Sequence, residues 1–216
     1  MFIVIDWLDW SWKWTQVELL AKRLVELWKK VKIFDFPRYH EKSAFAVAKY
    51  LNWDYWTDVP AKKASIFYAI DRFDASFDLK KELKEYDYIL SNRYVSASMI
   101  HQAGKIKDLK ERDEFLDWLQ DLEYDIFEIP KPDKVIFLNV TPKMSQELVL
   151  KKNEREYLKW WKKMDLHEWD INHLTNAWES ANYVAKKYSW TKINCEKDWK
   201  MRNIDDINNE ILSNIL

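Results

Sequence analysis

The chain has 216 residues and a formal net charge of −1 at pH 7. That is long enough for one full core, and it sets up no global basic field for nucleic acid or an anionic membrane. Its single cysteine, Cys195, excludes an internal disulfide and points to a reducing, cytoplasmic setting. No stretch approaches ~18 uncharged apolar residues, so no membrane span is expected, and the apolar start Met1 to Ile5 stops at Asp6, too short for a secretory signal.

Phe2 to Ile5 reads as a buried strand. From Thr15, the spacing of Val17, Leu19, Leu20, Leu24 and Leu27 predicts a helix. Between them lies a turn with one lysine, Lys13, just before the helix. This is the layout of a phosphate-binding loop: strand, G-x-x-x-x-G-K-[ST], helix. Such a loop works through its backbone. Successive N–H groups cradle phosphate oxygens at a helix N-terminus, and glycine lets the chain come close and take positive φ. Here Trp7, Trp10 and Trp12 stand where glycine is needed, with Trp14 beside them.

Composition offers a resolution. A soluble chain averages ~7% glycine, so roughly 15 glycines are expected, and this chain has 1 glycine and 14 tryptophans. Trp28 falls where a helix-ending glycine belongs. Trp53 and Trp56 lie in a turn-rich stretch, and Trp160 and Trp161 in a polar loop. Trp190 joins a helix to Thr191, and Trp199 follows Asp198 as glycine would in a turn. These positions read as glycines rendered as tryptophan. A codon table that reads UGA as tryptophan, applied to a lineage that reads it as glycine, does this. Trp118 reads as a true core residue with Phe115, Leu119 and Leu122, while Trp169 and Trp178 fit either reading. The opposite reading takes every tryptophan literally, giving an aromatic-rich binding or structural protein without activity.

Further strands are expected at Val31 to Phe34, Tyr88 to Leu90, Val135 to Val140 and Thr191 to Cys195, with helical segments between them. Residues 61–85 read as a long helix with an apolar face of Ile66, Ala69, Ile70, Phe73 and Phe77. Residues 108–127 make another, stopped by Ile129-Pro-Lys-Pro. Residues 142–152 begin with the Thr141-Pro142 start signal, and 151–168 turn highly charged, as a solvated face or a lid over phosphates. His167 and His173 are not spaced for a metal on one helix face. The alternation argues for one α/β domain, 1–216, on a parallel sheet, with ligands beyond the carboxyl ends of the strands.

With glycine restored, residues 6–16 become Asp-Gly-Leu-Asp-Gly-Ser-Gly-Lys-Gly-Thr-Gln, and this resembles the phosphate loop of thymidylate kinases. Phe67-Tyr-Ala-Ile-Asp-Arg72, Asn92-Arg-Tyr-Val-Ser-Ala-Ser-Met-Ile-His-Gln102 and Asp165-Leu-His-Glu168 are similar to further motifs of that family, in the expected order. The resemblance implies a three-layer P-loop kinase fold: a five-stranded parallel sheet flanked by helices, with a lid at about 151–166. It implies transfer of a phosphoryl group from ATP to dTMP with Mg²⁺, in a homodimer. Another (deoxy)nucleotide acceptor on the same fold is the nearest rival.

The resemblance also assigns roles. Trp7, Leu8, Asp9, Trp10, Ser11, Trp12, Lys13, Trp14 and Thr15 would surround the ATP phosphates, with Lys13 bridging the β- and γ-phosphates and Thr15 near Mg²⁺. The usual hydroxyl directly after the lysine is missing at Trp14. Asp9 would face the acceptor's sugar, and Arg38 and Arg72 would clamp its phosphate. Tyr68, supported by Phe67, would stack on thymine, Gln102 would meet the base edge, and Arg93 would reach the transferring phosphate. Ser11 leaves the loop without a catalytic arginine, so Arg155 of the lid takes that part, with Lys151 or Lys152 behind it. Asn92 stands where the family usually has Asp, and Ala97 where serine is common.

Overall fold

The computed structural model describes residues 1–8, 13–52, 54–55, 59–148 and 171–216, with Lys13 described by its backbone alone. Five strands form the central sheet: β1 (Phe2–Trp7), β2 (Val31–Asp35), β3 (Tyr88–Asn92), β4 (Lys134–Asn139) and β5 (Thr191–Asn194). Their order is β2-β3-β1-β4-β5, and every neighbouring pair is parallel. The middle strand shows why its sequence is continuously apolar. Side chains alternate between faces, so Phe2 and Val4 enter one core while Ile3, Ile5 and Trp7 enter the other.

Helices cover both faces. Val17, Leu20 and Leu24 of α1 (Lys13–Glu26) share the core of Ile3 and Ile5, as do Ile207 and Ile211 of the last helix. Phe45–Leu51 forms a short α2. The opposite core takes Ala75 and Leu79 of α3 (Ala61–Glu82), Val95 and Met99 of α4 (Val95–His101), and Phe115, Leu116 and Leu119 of α5 (Leu109–Gln120). Ala177, Ala181 and Val184 of α6 (Ile171–Lys187) complete it, and the last helix is α7 (Ile204–Ser213). This is the expected three-layer α/β architecture. Among the described residues no helix is long and apolar enough to cross a membrane.

Two details depart from the sequence reading. In α3 most of the large apolar side chains expected in the core do not face it: Ile66, Ile70, Phe73 and Phe77 are exposed, Phe77 by 64%, while Leu79 is buried. The buried face carries alanines, Ser65, Ser76, Asp71 and Arg72 instead. The reason is polar. Arg72 has a buried partner in Glu123 and Asp71 half-buried ones in Arg38 and Ser43, and small residues let α3 pack closely around them. The second departure is at α5, which starts at an Asp108 cap accepting the Glu111 N–H (2.9 Å) and then runs on as a π-helical turn over Asp121–Ile126. That turn carries Glu123 into the interior, fully buried.

The turns bear directly on the tryptophans. At the end of α1, Trp28 N–H donates to Val25 O (2.9 Å) and Lys29 N–H to Leu24 O (3.0 Å), a Schellman closure with Trp28 as its left-handed residue, φ 60°. Asp198 and Trp199, both at positive φ (51° and 59°), form the two-residue loop of an antiparallel hairpin pairing Glu196 with Met201 and Lys197 with Lys200. Left-handed backbone costs an L-residue about 1–2 kcal/mol. Trp190 does not hold the left-handed position after α6. The left-handed residue after α6 is Ser189, φ 54°, and Trp190 follows it with its N–H on Ala185 O (2.8 Å) and its ring against the core.

Gly104 has ordinary φ but tight surroundings. A Cβ there would lie 3.0 Å from Asn176 O and 3.1 Å from the Ala177 Cα, where a short 3₁₀ turn crosses α6.

Candidate active site

The parallel register brings the carboxyl ends of β1, β2 and β3 side by side. Asp35 pairs with Asn92, and Ile5 pairs with Asn92 from the other side. At this edge Asp6 is wholly buried. Its carboxylate accepts the Trp7 N–H (2.9 Å) and the Ser96 hydroxyl (2.6 Å). Asn92 donates from Nδ2 to Asp35, while its Oδ1 is buried with no hydrogen-bond partner. Arg93 then turns left-handed, φ 61°, with its N–H on Ile5 O (3.1 Å). A non-glycine residue held there stores strain of the kind found at functional sites. The Asn92 amide thus ties β3 to β2 where an aspartate would repel Asp35.

Arg38 sits just past β2 and is gripped by α3. Its N–H and Nε donate to Asp71 (2.8 and 3.1 Å), and Nη2 reaches Asp74 (2.5 Å) and Ser43 Oγ (3.0 Å). Burial works against the charge, but Asp74 and Asp71 hold the guanidinium above its ordinary pKa. Arg72, one residue on from Asp71, is buried entirely. Nε donates to both oxygens of Glu123 (3.0 and 3.1 Å), Nη2 to Glu123 and to Ser98 Oγ (3.1 Å), and Nη1 to Tyr94 O (3.3 Å). Desolvation opposes this charge too, and Glu123 more than offsets it. A carboxylate and a guanidinium this close cancel, so Arg72 offers hydrogen-bond donors rather than net charge.

Tyr68 lies one turn before Arg72 on α3, half-buried, and Tyr50 meets it edge-on at 6.2 Å. Phe67 stacks on Tyr55 at 5.3 Å and belongs to the same small cluster. Gln102 lies one turn beyond Ser98, its N–H on Ser98 O (3.0 Å). It is 1% exposed, and its Oε1 has no hydrogen-bond partner. The structure therefore collects Tyr68, Arg72 and Gln102 along one seam between α3 and α4, bordered by Arg38. Trp7 ends β1 in the core, Leu8 is buried behind it, and Thr15 is exposed in the first turn of α1 with Trp14. Asp9, Trp10, Ser11, Trp12, Lys151, Lys152, Arg155, the 151–166 lid and the Asp165–Glu168 motif lie outside the described residues.

Sequence reasoning missed Glu123, Asp35, Asp6 and Ser98. Glu123 hides in a charge-rich helix, and only the π-helical turn rotates it inward. The signal that was available is the strand rule: Asp6 follows the buried run of β1, and Asp35 ends the half-buried run of β2.

The family model for thymidylate kinase matches residues 5–193. The chain belongs to the thymidylate kinase family. Among curated thymidylate kinases, that of Mycobacterium tuberculosis (strain CDC 1551 / Oshkosh) is 25% identical over 149 residues, 68% of this chain and 69% of the relative. That of Plasmodium falciparum (isolate 3D7) is 23% identical over 99% of this chain and 89% of the relative. The solved thymidylate kinase of Candida albicans superposes with a TM-score of 0.75 at 18% identity, covering 99% of this chain and 90% of that one. As a thymidylate kinase family member the chain is a nucleoside monophosphate kinase on a P-loop fold.

Proposed function

We infer that the protein transfers the γ-phosphoryl group of ATP to the 5′-phosphate of dTMP, giving dTDP. The observation that carries this reading is the family match over residues 5–193. An aromatic ring, a charge-cancelled arginine and a buried amide with an unpartnered oxygen lie along the seam, and they support this reading because a nucleobase needs stacking and edge contacts. Arg38 and Arg93 border it at the strand ends and would meet the acceptor phosphate; guanidinium forks suit phosphate oxygens. Lys13 would neutralise the β- and γ-phosphates, and Arg155 would bring the second cation. Because the transition state for phosphoryl transfer is loose, holding the two phosphates in line and spreading their charge is most of the catalysis.

The unpartnered Oδ1 of Asn92, with the Asp35 carboxylate beside it, offers hard oxygens of the kind Mg²⁺ or its water shell accepts. These groups and the Thr15 hydroxyl would hold the ion, which would supply charge neutralisation to the ATP phosphates. A second copy of this chain would cover the exposed α3 stripe of Ile66, Ile70, Phe73 and Phe77, which Phe127 extends by a ring contact to Phe73 at 5.0 Å. The buried free Cys195 fits a reducing, cytoplasmic setting.

A coupled ADP-release assay over dTMP, dUMP and the other nucleoside monophosphates, run on the chain with glycine at 7, 10, 12 and 14, tests the reading. The expected result is turnover highest with dTMP. Turnover confined to another acceptor moves the assignment, and none with any acceptor removes it.

A further inference from the structure

Among the left-handed residues described in this fold, two are tryptophans. Trp28 is the left-handed residue of the closure after α1, and 95% of its surface is exposed. Trp199 is the second residue of the Asp198-Trp199 hairpin loop and is 85% exposed. Loops with both central residues at positive φ strongly prefer Asn-Gly or Asp-Gly. A large ring at such a site gains packing only if it is buried, and these two are not. The strain therefore has no return. Other left-handed residues exist here, among them Asp198, Ser189 and Arg93, so positive φ alone decides nothing. The combination of left-handed backbone, the bulkiest side chain and near-complete exposure singles out 28 and 199.

Trp7 adds a third and different misfit. Its ring is fully buried at the end of β1, yet the indole N–H has no hydrogen-bond partner. Buried tryptophans ordinarily find one.

Three other tryptophans behave as the residue should. Trp178 donates from Nε1 to Asn139 Oδ1 (2.9 Å) within α6. Trp118 packs on Phe115 with ring centroids 5.8 Å apart and takes the Lys62 ammonium over its face at 5.2 Å. Trp190 is the apolar residue after a Schellman closure, its ring against the core. The chain thus holds two kinds of tryptophan site, sorted by backbone and packing alone.

We propose that positions 7, 28 and 199 are glycine in the native protein and that 118, 178 and 190 are tryptophan. One cause covers the split: two codons, UGA and UGG, both written here as tryptophan, the first read as glycine by the source organism. The same rule places glycine at 10, 12 and 14 and so restores a phosphate-cradling sequence around Lys13. The assignment at 28 and 199 does not rest on the kinase reading, since neither position belongs to the nucleotide site.

The test is the gene together with peptide mass spectrometry of the protein from its natural source. Expected are UGA codons and glycine-mass peptides at 7, 28 and 199, with UGG codons and tryptophan-mass peptides at 118, 178 and 190. Tryptophan in the native peptides at 28 and 199 overturns the proposal, as does glycine at 118 or 190. A recombinant comparison reads the same split by stability. Trp28→Gly and Trp199→Gly each lower the unfolding equilibrium constant, together by roughly ten-fold or more, whereas Trp118→Gly and Trp190→Gly raise it. If all four change stability in the same direction, the sorting is wrong. ADP release with dTMP, measured on a chain that carries glycine at 7, 10, 12 and 14 as well, judges the kinase reading separately.

Discussion

In the proposed reading the acceptor seam and the phosphate loop hold their nucleotides with different atoms. The seam has side chains: Arg38 on Asp71 and Asp74, Arg72 on Glu123, each guanidinium fixed in place by a partner. A phosphate loop works through main-chain N–H groups and needs a backbone with no side chain in the way. A change of glycine to tryptophan leaves the first design intact and blocks the second. Side-chain sites therefore survive a decoding error that backbone sites do not.

The comparison can be broken in several ways. The largest effect is expected on the donor side. In a chain with glycine in the loop, Arg155→Ala lowers kcat by about 10³-fold, the scale of a lost phosphoryl-transfer arginine, with little change in KM for dTMP. A kcat within a few-fold of the parent removes Arg155 from the mechanism. On the acceptor side, Glu123→Leu strands the Arg72 charge in the core and costs about 3–5 kcal/mol by urea unfolding. The double variant Arg72→Met/Glu123→Leu recovers most of that stability and still fails to bind dTMP in calorimetry. If it binds normally, the pair is scaffolding only.

A smaller effect is expected at the α3 stripe. Phe77→Glu turns a dimer into a monomer in sedimentation, and a monomeric parent withdraws the homodimer. The smallest lies far from the site. Lys187 and Tyr183 hydrogen bonds hold the exposed Asp113 carboxyl below its usual range. A depressed carboxylate stabilises above its unfolded pKa, and the benefit goes as pH falls through its folded value. Asp113→Asn should therefore cost at most ~1 kcal/mol near neutral pH and nothing in acid. A loss that persists in acid contradicts the pairing.

Much of this could be read before the fold was known. Short apolar runs separated by helical periodicity located the five strands of the central sheet, though not the Glu196–Met201 hairpin, and the motif order pointed to the family. What stayed hidden has physical reasons. Helical periodicity assigned Ile66, Ile70, Phe73 and Phe77 to the core, because it cannot see that Asp71 and Arg72 claim the interior through their partners. A π-helical turn breaks the 3.6-residue count, so Glu123 looked like one more surface charge. Trp190 looked like Trp28, since a Schellman closure places its left-handed and its apolar residue side by side.

Gly104 carries a last consequence. Its missing side chain lets the turn after α4 lie directly on α6 at Ala177, and Ser180 ties the same surfaces through Met99 O at 2.9 Å. Gln102 is two residues from that crossing and buried. Even one methyl group, Gly104→Ala, would wedge the turn off α6 and loosen the footing of the Gln102 amide, so a change that touches no candidate site residue would reach one through packing alone.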